Sequence, residues 1–151
     1  MEGGYIAIRN KTVTFINPSL RDYLTDYLDD AGLLSDLAAC AQKADWAERV
    51  WKHVRVEKLL SPAKQELVAQ AFINVSERFK DLPEMRISET NPNSWTFYDL
   101  CYAERISLLL SWCACSGNKR FAEIALSLAV SRIGHFSAWN DAQPLIRLIP
   151  L

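Results

Sequence analysis

The spacing of apolar positions changes period once along this chain. Tyr5 to Ile8 and Thr12 to Ile16 are short β-prone runs with partial two-residue alternation, and Arg9, Asn10 and Lys11 separate them as a turn. A β-hairpin is predicted there. Two strands alone are marginal in water, so this hairpin must lean on something. From Pro18 onward the period is helical. Asn17 is a good N-cap and Pro18 suits the first helical position, where a missing N–H costs nothing. Leu20, Tyr23, Leu24, Tyr27 and Leu28 then make one apolar stripe. That helix should stop near Asp29–Gly32, with Gly32 just past its end. The two aspartates sit poorly at a helix C-terminus, so their reason should lie elsewhere.

Further stripes predict a helix over Leu33–Gln42 and a third capped by Asp45, with Trp46, Val50, Trp51 and Val54 in line. Ser61 and Pro62 restart the chain. Leu67, Val68, Ala71, Phe72, Val75 and Phe79 form the clearest amphipathic stripe, ending before Pro83. Residues 82–95, LPEMRISETNPNSW, read as a long loop, and a loop of that length inside a domain is either mobile or functional, which makes it the stretch to inspect for a binding role. Phe97 to Cys115 is the most apolar segment and the expected central helix. Ser116–Gly117–Asn118 turns the chain into a last clear helix, Phe121 to Ile133, which Gly134 stops. The expected fold is mainly α: an N-terminal hairpin over residues 1–16, then a helical domain over 17–151 with about six helices in an antiparallel bundle or small solenoid-like array.

Composition narrows the function classes. Half of the 151 residues are apolar, which suits a folded domain able to bury about 68–70% of its unfolded surface. A net charge of −1 gives no global basic footprint for nucleic acid. No apolar run is long enough to span a membrane, and the N-terminus lacks the basic and apolar regions of a signal peptide, so a cytoplasmic location is expected. Cys40, Cys101, Cys113 and Cys115 have neither disulfide-scaffold nor zinc-site spacing and read as reduced, mostly buried thiols. With only His53 and His135 beside them, no metal site and no cofactor are expected.

Candidate chemistry is sparse. Trp46, Trp51 and His53 with Lys52, Arg55 and Lys58 resemble a nucleic-acid surface, but Glu48 and Glu57 dilute the charge and core packing explains the tryptophans better. His135 near Ser131 and Ser137 lacks any accompanying nucleophile pattern, and a histidine donating to last-turn carbonyls is the simpler reading. Asp81, Glu84 and Glu89 read as solvated loop carboxylates. No catalytic residue is assigned.

The segment Phe15–Leu28, FINPSLRDYLTDYL, resembles the F-x-NPS-[LVI]-RD-[FY]-L motif of bacterial STAND-type NTPases, large signal-transduction ATPases in which it follows the nucleotide-binding part. Glu2–Ile8 is similar to the stretch that precedes that motif, with Met1 where the family has Leu. The resemblance covers roughly residues 2–28. It implies that the hairpin is the wing of a winged-helix element, that the native chain extends upstream, and that the helices are a C-terminal regulatory region, often in bacterial defence systems. No G-x-x-x-x-G-K-[ST] occurs, so this segment cannot hydrolyse ATP by a phosphate-loop mechanism.

The expectation is therefore a non-catalytic sensor-side module that docks on the ATPase core of its own chain or on a protein partner. Its contacts are assigned to Asn17, Ser19, Arg21 and Asp22 on the motif, and to Arg86, Asn91, Asn93 and Trp95 in the loop. A solvated helix start is the simpler reading of Arg21 and Asp22. The alternatives are a nucleic-acid-binding winged-helix-like module using Arg9, Lys11 and the Lys52–Lys58 segment, and, less favoured, a small hydrolase built on His53 or His135.

Overall fold

A computed structural model describes residues 6–9, 12–15, 27, 30–56 and 60–146, and it is mainly helical. Strands β1 (Ile6–Arg9) and β2 (Thr12–Phe15) pair antiparallel, Ile6 opposite Phe15 and Arg9 opposite Thr12. The motif helix expected from Pro18 lies outside the described residues, apart from Tyr27, which is helical. The helices that follow are α1 (Ala31–Ala39), α2 (Ala44–Val56), α3 (Pro62–Ala71), α4 (Ile73–Ser76), a 3-10 turn (Glu77–Lys80), α5 (Tyr102–Ser116), α6 (Lys119–Ser131) and α7 (Ala142–Ile146). Between the 3-10 turn and α5, β3 (Met85–Ile87) and β4 (Trp95–Phe97) form a second antiparallel hairpin. The hairpin tied by described hydrogen bonds to the helical body is this mid-chain one, not the N-terminal one placed at the head of the fold.

Several expected boundaries move for identifiable reasons. Gly32 does not end a helix. It lies inside α1, because Asp30 starts that helix by accepting the Leu33 N–H on its Oδ1 at 2.9 Å. A Cβ on Gly32 would stand 2.9 Å from that same oxygen, so the glycine leaves room for the cap. The aspartate that looked misplaced at a helix C-terminus thus belongs to the next helix's N-terminus. Asp45 sits in the first turn of α2 rather than at its cap. The stripe from Leu67 to Phe79 is not one helix. It breaks at Phe72, and Ser76 bonds back to the Ile73 carbonyl at 3.1 Å, local bonding that competes with a regular helix. The central helix starts at Tyr102, five residues later than expected, and Phe97 belongs to β4.

The core is one aromatic-centred cluster. Trp112 of α5 is fully buried, stacks on Phe72 with ring centroids 4.1 Å apart and planes 9° apart, and meets Phe79 and Phe121 in tilted contacts. Trp51 approaches Phe72 edge-on. Val50, Val54, Val68, Val75, Ile106, Leu109, Ile124 and Leu128 fill the space around them. Helices α5 and α6 make the most extensive contact. Their two-residue link works because Gly117 takes φ +66°, a conformation glycine adopts at no steric cost. Trp46 is not part of the core; it is 45% exposed.

Candidate interaction surface

Charge is concentrated at the N-terminal end of α5, and from there the exposed surface is built. The first backbone amides of a helix need acceptors. Here the Cys101 N–H bonds to Glu104 Oε2 at 3.1 Å, Tyr102 N–H to Glu84 Oε1, and Ala103 N–H to Asp141 Oδ1 at 2.9 Å. Glu84 comes from the strand side of the hairpin and Asp141 from the segment after α6, so the helix end gathers three separate parts of the chain. Glu84 was expected to be a solvated loop carboxylate. Burial instead holds its pKa above the ordinary value, the nearby Asp141 charge adds to this, and the Tyr102 amide works against it. The Cys101 thiol is buried, with its pKa pushed far up by desolvation, and donates to the Asn140 carbonyl at 3.3 Å.

Beneath this lies Arg105, wholly buried. Its guanidinium donates to the carbonyls of Phe79, Leu82 and Pro83, and its Nη2 stands 3.8 Å from Asp99 Oδ2. Burial lowers its pKa while Asp99 raises it. Asp99 also accepts the amides of Ala44 at 3.1 Å and Asp45 at 2.7 Å, and so supplies the cap that α2 lacks in its own sequence. This network fastens the hairpin: Arg105 holds the chain entering β3 and Asp99 the chain leaving β4. Tyr98 adds to it, its carbonyl accepting from Lys43 Nζ at 2.8 Å while its ring lies against Lys43 and Arg86.

The anchored hairpin is two-sided. Register pairs Met85 with Phe97, Arg86 with Thr96 and Ile87 with Trp95, so Met85, Ile87, Trp95 and Phe97 share one face. Ile87, Trp95 and Phe97 are 53%, 64% and 66% exposed. Arg86 occupies the opposite face, ion-paired with Glu89 at 3.1 Å. The expected 82–95 loop is thus a hairpin with a short tip. Asn91 shapes the tip by accepting the Asn93 N–H on its Oδ1 at 3.0 Å, and Asn93 is exposed beside it. Of the expected contact residues, Trp95 lies on the apolar face, Arg86 behind it, and Asn91 and Asn93 at the tip. Asn17, Ser19, Arg21 and Asp22 lie outside the described residues.

Two clefts open along α5, one of them beside the hairpin. One, about 400 Å³, is lined by Phe97, Tyr98, Asp45, Glu104, Trp139 and Asn140 together with buried groups of the cap network. The other, about 420 Å³, runs between α2 and α5 past Glu48, Trp51, Lys52, Arg55, Ser107 and Ser111. Glu104 lines both. In the second, Trp51 Nε1 and Arg55 Nη1 both donate to Ser111 Oγ, at 2.9 and 3.2 Å, and Lys52 is paired with Glu48. The basic residues of α2 are therefore partly neutralised by its own acids. Neither imidazole bonds to a serine or cysteine among the described residues: His53 Nε2 is buried without a partner and His135 is exposed. The described residues contain no grouping of His, Cys, Asp and Glu arranged to hold a metal, and no helix among them is long and apolar enough to cross a membrane.

Set against family models, curated proteins and solved structures, the chain gives no match in any of the three. Sequence reasoning missed Asp99, Arg105, Trp139 and Asp141. The only local signal was Glu104 three residues after Cys101, the spacing of a capping box.

Proposed function

We propose that this chain is a non-catalytic helical interaction module of a larger STAND-type ATPase, and that it docks on the ATPase core through the apolar face of β3 and β4. One observation carries the docking part: large side chains at Ile87, Trp95 and Phe97 stand in solvent on a hairpin whose two ends are fixed by the buried Arg105–Asp99 network. Exposed aromatics on a rigid support are what a protein interface uses, because their large area is gained at little cost in conformational freedom. The resemblance of Phe15–Leu28 to the STAND motif supplies the ATPase as the surface to be met. In that setting the helices would sense or transmit a signal by a two-state docking equilibrium, biased by whatever ligand prefers one state.

The test is photo-crosslinking. The gene's full reading frame is expressed with benzoylphenylalanine in place of Trp95, and the adduct is mapped. An adduct to a nucleotide-binding part of the same polypeptide supports the reading. A frame without a phosphate-binding loop, or no protein adduct, overturns it. An adduct to nucleic acid would favour the winged-helix-like alternative, which salt-dependent binding would then measure.

A further inference from the structure

We infer that the cleft between Phe97 and Trp139 receives a cationic side chain, an arginine or lysine, presented by the protein that docks on the hairpin. The identity of the carrier rests on the docking reading above, whereas the preference for a cation rests on the cleft alone. Phe97 and Trp139 are 66% and 94% exposed, yet both line the same 400 Å³ space. Aromatic faces attract cations through their quadrupole. Asp45 and Glu104 add carboxylates to the same walls, and no lysine, arginine or histidine lines the space. The positive groups nearby are engaged elsewhere: Lys43 on the carbonyl and ring of Tyr98, Arg86 on that ring and Glu89, and Arg105 below the floor against Asp99 and three carbonyls. The Asp45 carboxylate makes no hydrogen bond or ion pair among the described residues, and Glu104 has committed only Oε2. The cleft thus carries two carboxylates, neither in an ion pair among the described residues, beside the exposed rings of Phe97 and Trp139.

The backbone that carries Trp139 is held in place. The turn that carries it is closed by the Asp141 N–H on the Ser137 carbonyl at 2.8 Å and by the Ser137 N–H on Asp141 Oδ2 at 2.7 Å. Asp141 Oδ1 then clamps that turn to α5 through Ala103. The backbone therefore needs little ordering on binding, and the exposed indole is the part a bound cation would settle. The cleft adjoins the exposed face of β4 through Phe97 itself, so a partner covering Trp95 and Phe97 would pass a side chain directly over it.

The experiment titrates the isotope-labelled 151-residue chain with N-acetyl-arginine amide and N-acetyl-lysine amide, using N-acetyl-citrulline amide as the neutral isostere. The Trp139 indole N–H and the Glu104 amide are followed by NMR. Saturable shifts at both with the charged compounds, and none with citrulline, are expected. Asp45→Asn and Trp139→Ala, the latter read at Glu104, should each weaken binding by about fivefold to tenfold. Equal shifts with citrulline, undiminished binding to Asp45→Asn, or no saturable shift would each overturn the inference. Because the titration needs no partner, a charge-dependent site without any cross-link from Trp95 would remove the docking reading and leave the cation site standing. A cross-link without charge-dependent shifts would do the reverse.

Discussion

Asp99 caps a helix that begins 55 residues before it: Oδ2 accepts the Ala44 N–H at 3.1 Å, and Oδ1 accepts that of Asp45 at 2.7 Å. The same carboxylate faces the buried guanidinium of Arg105. Asp99→Ala should therefore leave those two amides and that of Leu100 unmet and a buried cation without its counter-charge, at a cost of about 3–5 kcal/mol. Asp99→Asn keeps one accepting oxygen and should cost less. Urea denaturation of the two variants checks the order; equal losses would mean that packing rather than the acceptor matters.

Arg105 spreads one planar fork over three carbonyls on the chain that leads into β3. Lysine brings the charge but not the fork. Arg105→Lys should destabilise by about 1–3 kcal/mol and speed amide exchange in β3 and β4 more than in α6. Uniform loss of protection across the chain would refute a specific role in fastening the hairpin.

Trp112 is fully buried, yet its indole N–H has no partner among the described residues. Its worth should then lie in its area and its stacking on Phe72. Trp112→Ala is expected to cost about 3–5 kcal/mol, and Trp112→Phe distinctly less because no hydrogen bond is lost. Chemical denaturation of both variants reads this directly, and a Phe variant as damaged as the Ala variant would point to an indole contact.

Glu84 sets a pH dependence of defined sign. Its folded pKa lies above the ordinary 4.5, so over that window the folded chain holds a proton that the unfolded chain has released. The Glu84 contribution to stability is full below the unfolded pKa and is lost as pH rises through the folded one. Glu84→Gln should remove that decline, so the variant gains on the parent as pH increases from 4.5. Thermal melts across the window measure it, and parallel curves would show that Glu84 does not titrate abnormally.

Surface function and stability should separate on the hairpin. Trp95→Ala and Phe97→Ala remove mostly exposed side chains and lose only the cross-strand contacts to Ile87 and Met85, less than about 1 kcal/mol each. If the apolar face docks, the same changes abolish association with the ATPase part in a pull-down from the full reading frame. Retained association with both changes made together would discard the face as the contact.

Local chemistry accounts for what could be read in advance. The helical periods over 44–56, 62–79 and 102–131, the Ser61–Pro62 restart and the Gly117 turn are short-range patterns, and the burial of Val50, Trp51, Val54 and Phe72 follows from them. The mid-chain hairpin was hidden because prolines, asparagines and serines at its ends and tip look like those of an irregular loop, while its strands are only three residues long. Composition gives Trp95 a contact role and periodicity puts Phe97 in a helix; only pairing with Met85 places Phe97 on the exposed face.

Periodicity and capping act within a few residues, so the helical class, the positions of most helices and much of their inward faces could be read from the chain alone. Which carboxylate meets which amide was decided by the tertiary structure. Asp99, Glu84 and Asp141 are ordinary acids in the sequence, and only folding brings them to the starts of α2 and α5, where unsatisfied N–H groups compel a partner from wherever the chain passes. The cleft between Phe97 and Trp139 has the same origin, because residues 42 positions apart acquire a shared surface only after those carboxylates have pinned their segments to one helix end.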